Sequence, residues 1–449
     1  MFSSLSTKPV HAVFDEPDTT SDGGALLLKA ADRRLGLTRA LADCLEDPRS
    51  ARRVAHTLHD LLRQRIYGLA LGYEDANDAA RIGADPMHKL LLDRDPQSGA
   101  ALASQPTLSR FENGVDGRAL VALGECLADT VLDRLRARRK RCPPSRVTID
   151  LDPTCDPTHG RQQLTFFHGF YDTYCYLPVL GFVTLDEEPE SFLVSAVLRS
   201  GRAPDKQGAI GILRRLIGKV RGRFPRTRVR VRLDAGFMAP EILEFLDAAK
   251  VEYLVGYASN PRLAQDCGPL VDEARSLWEE SGQPIQVFGE LRHMARTWKG
   301  RSRRLIAKAE MVESPGREPK ANLRFVVTNL RHRPKTAYAI YCLRGDIENR
   351  VKEIKDGVAL DRTSCSGFFA NQLRVLLAAA AYAILQELRS RLKGTGLARA
   401  QVQRLRLCLL RIGARVVRSA RRVVVHLAAA HGWRPPWTKA AVALGAAPC

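Results

Sequence analysis

The order of apolar and polar positions divides the chain into stretches of two periods. Leu26, Leu27, Ala30, Ala31, Leu35 and Leu41 recur at helical spacing after Ser21-Asp22, which is placed to cap them. Val54, Leu58, Leu61, Leu62, Ile66 and Leu69 form a second stripe from about Ala51, and residues 120–136 a third. Residues 104–113 predict a short helix capped near Thr107 beside Pro106, with Ser109 and Arg110 outward. At Arg146-Val-Thr-Ile-Asp150-Leu-Asp152 the period changes to two: Val147, Ile149 and Leu151 face one way, Thr148, Asp150 and Asp152 the other. Strands are also predicted within residues 166–184, 194–198, 228–233, 251–257 and 323–328, and helices over 208–224 and 240–249. Residues 260–320 keep no clean period. Residues 375–388 read as a core helix, 401–426 as an arginine-rich amphipathic helix or a strand after Arg415, and the tail from Gly432 as loose.

Composition narrows the partners. A chain of 449 residues is long enough for about two to four domains and a large core. Seventy Lys and Arg against 49 Asp and Glu give +21 and a pI near 9.9, which favours a polyanion. Nucleic acid comes first and an anionic membrane surface second. No apolar run reaches the ~20 residues of a membrane span; the nearest, 375–385, is closed by Gln386 and Glu387. The first residues lack a signal-peptide core, so a cytoplasmic protein is expected. Ten dispersed cysteines with no Cys-x-x-Cys pair argue against a zinc site or a disulfide framework. His56 and His59 share a helical face without further ligands and read as structural.

Three places carry chemistry. Asp150 and Asp152 sit near a strand end before Pro153, where they can reach a shared metal or simply open an Asx turn. Asp234 ends a strand before Gly236 and a helix, a position common in α/β active sites and also a plain helix cap. At ~100° per residue, Tyr341, Arg344, Glu348, Lys352 and Lys355 share one helical face, with Asp346 and Glu353 off it. A carboxylate among fixed cations stays ionised, and the cations suit a phosphate; the alternative is a solvated helix with spaced ion pairs. Trp298, set among Arg301, Arg303 and Arg304, suits stacking on an unpaired base or anchoring a fold from within.

Tyr, two residues, Arg, three residues, Glu, six residues, Lys is the YREK signature, filled here by Tyr341, Arg344, Glu348 and Lys355. The chain thereby resembles DDE transposases of bacterial insertion sequences, nearest the thirteen-eighty group. Asp152-Pro-Thr154, His159-Gly160-x-Gln162, Asp361-Arg362 and Asn371-Gln-Leu-Arg374 also look like that group. The resemblance implies Asp152, Asp234 and Glu348 as catalytic, metal-binding carboxylates, with Asp150 as understudy to Asp152. It implies two Mg²⁺ ions, which Mn²⁺ can replace, and phosphate contacts from Tyr341, Arg344, Lys352 and Lys355. It further implies that the insertion (Trp298, Arg301, Arg303, Arg304) holds a flipped base.

The fold expected is α/β: a ribonuclease-H-like core (141–250 and 336–392) interrupted by a β-rich insertion (251–335). A helical DNA-binding region (1–140) precedes it, closed by the basic run 134–141 and Cys142-Pro143-Pro144, and a basic region (393–449) follows. The expected partners are double-stranded DNA, as terminal inverted repeats and target, and a second protomer on that DNA, with no membrane. The expected activity is cut-and-paste transposition through hairpin ends in the bacterial cytoplasm, at the nucleoid. The rivals are a repressor that binds without cutting, a metal-dependent nuclease without strand transfer, and a basic scaffold for RNA.

Overall fold

The computed structural model describes residues 7–8, 10–314 and 317–447. The reading of the first residues as lacking a signal-peptide core therefore falls mostly outside it, as does Cys449. The chain forms two compact units, one of residues 1–42, 46–112 and 384–449, the other of residues 43–45 and 113–383.

In the first unit the helix Leu58–Leu71 is started by a capping box in which Thr57 and Asp60 satisfy each other's backbone N–H groups. The expected helix over 26–41 is cut at Gly36, which adopts φ +69°. Asp22 does not cap it: the buried carboxylate accepts from Tyr73 Oη (2.8 Å) and pairs with His88 Nε2 (2.9 Å). His56 and His59 each have a hydrogen-bond partner, Arg94 at 2.8 Å and Thr38 at 3.1 Å. The N-terminal and C-terminal stretches fold together, since Thr19–Thr20 pairs with Ala414–Arg418, and that strand with Val423–Leu427. Of the two readings of residues 401–426, each holds for a part: residues 402–410 are helical, and strands follow from Ala414, where the β-branched valines fit a pleated surface. The tail expected to be loose forms a helix, Arg434–Ala443, whose early prolines occupy its first turn, where no backbone N–H is needed.

The second unit is built on one sheet. Its strands are β1 (Arg146–Pro153), β2 (Val179–Leu185), β3 (Ser191–Val197), β4 (Arg228–Leu233), β5 (Glu252–Tyr257), β6 (Gln286–His293), β7 (Arg303–Ser314) and β8 (Arg317–Thr328). Their order is β6-β7-β8-β5-β4-β1-β2-β3. The central β1, β4 and β5 run parallel, and the strands on either side are antiparallel. The segment expected as a separate insertion thus continues the same sheet, and two helices, Pro261–Asp266 and Gly268–Ser281, precede its hairpins. The helix Gly117–Arg138 belongs to this unit, so the boundary falls near residue 113 rather than at Cys142-Pro143-Pro144. Its apolar face, Leu120 to Leu135, packs against β3. Its outer carboxylates meet the helix Ala209–Arg223 through Lys219–Asp129 (2.7 Å) and Arg223–Asp133 (2.8 Å).

Both faces of β1 are buried, not only the apolar one. Alternation on β4 explains how. Arg230 and Arg232 fall on the polar face beside Asp150 and are themselves buried. Arg232 grips Asp150 through two bonds of 2.8 Å, a bidentate pair that satisfies both charges inside the sheet. Arg230 pairs with Glu252 at 3.2 Å.

The helix Phe368–Arg389 has the length and apolar composition to cross a membrane, a longer run than the sequence reading recognised. It is 83% buried within the protein over its most apolar window, as a core helix is.

Candidate active site

Strand register brings the two aspartates together. Arg146 stands opposite Arg228 and Asp150 opposite Arg232 on neighbouring parallel strands. Continued two residues, the same register sets Asp152 level with Asp234, about 5 Å away by strand spacing. Asp152 lies inside the end of β1, and Asp234 opens the turn after β4, where its Oδ1 accepts from Gly236 N at 2.9 Å.

Residues 341–355 are not one helix. The helix Pro334–Cys342 ends, Leu343 and Arg344 form a turn, and Gly345–Val358 begins a second helix. Glycine's backbone freedom makes Gly345 a poor helix continuer. Tyr341 is anchored because its helix packs on Leu254, Ile306 and Val326 of the sheet. Its hydroxyl lies against Gly256, where even a Cβ would come within 2.6 Å of Tyr341 Oη and 2.8 Å of Ala235 N. Burial pushes the Tyr341 hydroxyl's pKa up.

The turn aims Arg344 between the aspartates. Its Nη2 donates to Asp152 Oδ1 and, at 3.2 Å, to Asp234 Oδ2. Its Nη1 stands 3.8 Å from Glu348 Oε1. One guanidinium therefore touches all three expected carboxylates, although Glu348 is 61% exposed. Burial opposes the charge on Arg344, but Asp152 and Asp234 outweigh it and hold its pKa above the ordinary value. Burial, with Asp234, Glu348 and Asp150 adding to it, pushes Asp152 up to about 7 against the pull of Arg344. Asp234 is raised by burial and by Asp205, again opposed by Arg344.

The other expected residues separate into groups. Lys355 donates to the Cys155 carbonyl and lies 3.8 Å from Asp361, while Lys352 is exposed. Asp150 is fully buried with both oxygens held by Arg232, so Asp152 alone of that pair reaches the shared guanidinium. Trp298 is 3% exposed, with its ring packed on Tyr257 and His293, and so takes the anchoring alternative rather than presenting a free face to a base. Arg303 pairs with Asp247 at 2.6 Å and Arg304 with Glu290, and Arg301 lies 3.9 Å from Asp247. These three line a groove at the end of the sheet where β4, β5 and β7 begin, whereas the aspartates stand where β1 and β4 end.

Sequence reasoning missed Asp205, Arg199 and Tyr171. Asp205 reaches the turn after Asp234, since a Cβ on Gly236 would meet Asp205 Oδ2 at 2.2 Å. Arg199 is buried and donates to the carbonyls of Leu177, Pro204 and Asp205, which fixes that loop. Burial, then Asp205, Asp152 and Asp234 among other charges, raise the Tyr171 hydroxyl's pKa. The loop's Gly and Pro composition gives no period from which this could be read.

Among the described residues no three His, Cys, Asp or Glu side chains are clustered as a ready metal site. Asp152 and Asp234 nevertheless fit a divalent cation. Both are hard oxygen donors, both are short of positive charge, and both already converge on one cationic group.

A fold of central parallel strands, with acidic side chains at their ends answered by a basic turn, defines a carboxylate-based α/β site. The chain belongs to the family described as transposase DDE domain group 1, whose profile matches residues 2–448. It is therefore a DDE transposase, an enzyme family that acts on DNA and generally uses divalent metal. No curated relative matches it.

Proposed function

We propose that this transposase cuts the ends of its own element and joins them to target DNA from the site at Asp152, Asp234 and Glu348. The observation that carries the reading is the convergence of all three carboxylates on the Arg344 guanidinium. The strand order β3-β2-β1-β4-β5, with β4 and β5 parallel to β1, supports a ribonuclease-H-like core. The spacing of Tyr341, Arg344, Glu348 and Lys355 supports the YREK branch of insertion sequences.

Asp152 and Asp234 would hold Mg²⁺, or Mn²⁺ in its place, with Glu348 turning inward from its exposed position as the third ligand. When bound, two such ions supply activation of water or a 3′-hydroxyl and stabilisation of the leaving oxygen in an in-line displacement. The rest falls to the chain. Arg344, once freed of the aspartates, presents a planar fork to a phosphate. Lys355 and Lys352 add point charges beside it, and Tyr341, fixed against Gly256, limits how far the substrate backbone enters. The proposed course is cut-and-paste through hairpin ends, by a homodimer assembled on DNA in the bacterial cytoplasm.

The test uses purified protein, labelled DNA bearing the inverted repeats that flank the gene, and Mg²⁺ or none. Wild type is expected to yield nicks, hairpins and joined products only with the metal, and Glu348→Ala to bind the ends without cutting. Tight binding with no cleavage by either protein refutes the reading.

A further inference from the structure

Two adjoining hollows of about 830 and 760 Å³ share Asn329, Leu330 and Arg331 and form one groove. Arg228 opens β4 within it, Glu252 opens β5, Arg303 and Arg304 open β7, and Thr328 closes β8. It therefore follows one end of the sheet. At ~3.3 Å per residue, β4 alone puts about 20 Å of strand between Arg228 and Asp234.

The groove is strongly cationic in a particular way. Eight arginine and lysine side chains line it, against three carboxylates, Asp247, Glu252 and Glu290. Those carboxylates are already engaged by inner arginines, Asp247 by Arg303, Glu252 by Arg146 and Arg230, and Glu290 by Arg304. Arg228 and Arg301 reach the margins of two of these carboxylates, 3.7 Å from Glu252 and 3.9 Å from Asp247, and other exposed cations are left over. No carboxylate among the described residues lies within ion-pair distance of Lys250, Arg292 or Arg331. Arg303, only 7% exposed, also keeps its Nε without a partner. Arg331, Arg333 and Lys335 carry the exposed positive surface onward from the groove.

We infer that this groove holds the phosphodiester backbone of a second stretch of duplex DNA, apart from the end at the carboxylates, without reading its sequence. Guanidinium groups in surplus over their carboxylates match phosphate oxygens in geometry and in charge. A lipid surface is the poorer match, because no exposed large apolar side chain lines the groove to enter a bilayer. The biological use of the groove rests on the transposase reading above; the binding itself does not.

The experiment uses full-length protein and a 30-base-pair duplex of arbitrary sequence lacking terminal repeats, followed by fluorescence anisotropy from about 50 to 300 mM salt. Each phosphate contact contributes about 0.9 to the slope of log affinity against log salt. Arg292→Ala with Arg331→Ala is expected to flatten that slope by about 2 and to weaken binding about tenfold at moderate salt. Both positions are exposed, so the fold is kept, and cleavage of a short terminal-repeat substrate is expected at the wild-type rate. Glu348→Ala gives the opposite pattern, full duplex binding without cleavage. Unchanged affinity and slope in the double variant overturn the inference, as does capture by anionic vesicles in preference to the duplex. Absence of cleavage in every protein, with the slope still flattened, strikes the catalytic reading and leaves the groove standing.

Discussion

Replacing Arg344 by methionine keeps a stem of similar length and removes the charge that Asp152 and Asp234 share. The side chains of Arg344, Asp152 and Asp234 are 11%, 10% and 28% exposed, so solvent replaces little of what is lost. Two carboxylates about 5 Å apart repel by roughly 3 kcal/mol at an effective dielectric of about 20, and breaking a buried pair by removing one partner costs about 3–5 kcal/mol. Partial protonation of Asp152 relieves some of this, so a net loss of about 3 kcal/mol is expected. At about 2–4 °C per kcal/mol for a domain of this order, the melting temperature of Arg344→Met in EDTA should fall by about 6–12 °C. Millimolar Mg²⁺ or Ca²⁺ replaces the missing positive charge, so the variant should regain more stability from the metal than wild type does. Thermal melts of both proteins, with EDTA and with each metal, measure this directly. A variant as stable as wild type in EDTA, or one that gains no more from metal, refutes the electrostatic account of the site.

Two further perturbations test its surroundings. Asp156 is fully buried; burial chiefly, with Asp361 adding and the Thr363 hydroxyl (2.9 Å) and Lys355 opposing, pushes its carboxyl up to about 8. The folded state thus keeps a proton that the unfolded chain loses above about pH 4, and the associated stability declines as pH rises towards 8. Asp156→Asn still accepts from Thr363 and never ionises. Its melting temperature relative to wild type should climb across that window, by at most about 5 kcal/mol in free energy; a difference flat with pH contradicts the assignment. In Gly256→Ala the new Cβ meets Tyr341 Oη at 2.6 Å and the Ala235 backbone at 2.8 Å, so something must move. Destabilisation of about 1–3 kcal/mol and slower end cleavage are expected. Adding Tyr341→Phe should recover part of the stability, and no recovery would place the clash at the backbone alone.

Much of this was readable from residue order, and the exceptions have physical causes. Strands β1 and β4 announce themselves by alternation, and Asp152 and Asp234 by standing at strand ends. Which strands lie side by side is set by distant pairing, so the level register of the two aspartates was not visible. The helix Gly268–Ser281 was missed because Ala274 is its one buried residue, too little for an apolar stripe. Trp298 looked available because its neighbours are basic, yet Tyr257 and His293 close over it from other strands. The single face drawn through Tyr341 to Lys355 assumed an unbroken helix, and the turn at Leu343 and Arg344 is what points the arginine inward.

Arg232 also donates to the Ile340 carbonyl at 3.0 Å while it holds Asp150. One side chain thus rivets the strand of the first aspartate to the helix that carries Tyr341, across more than a hundred residues of intervening chain. The strand ends that carry Asp152 and Asp234 are registered with Tyr341 by that rivet and by strand pairing. The geometry at Asp152, Asp234 and Arg344 thus depends on strand pairing and on one buried side chain more than on the length of the chain that runs from residue 258 to 333 between them.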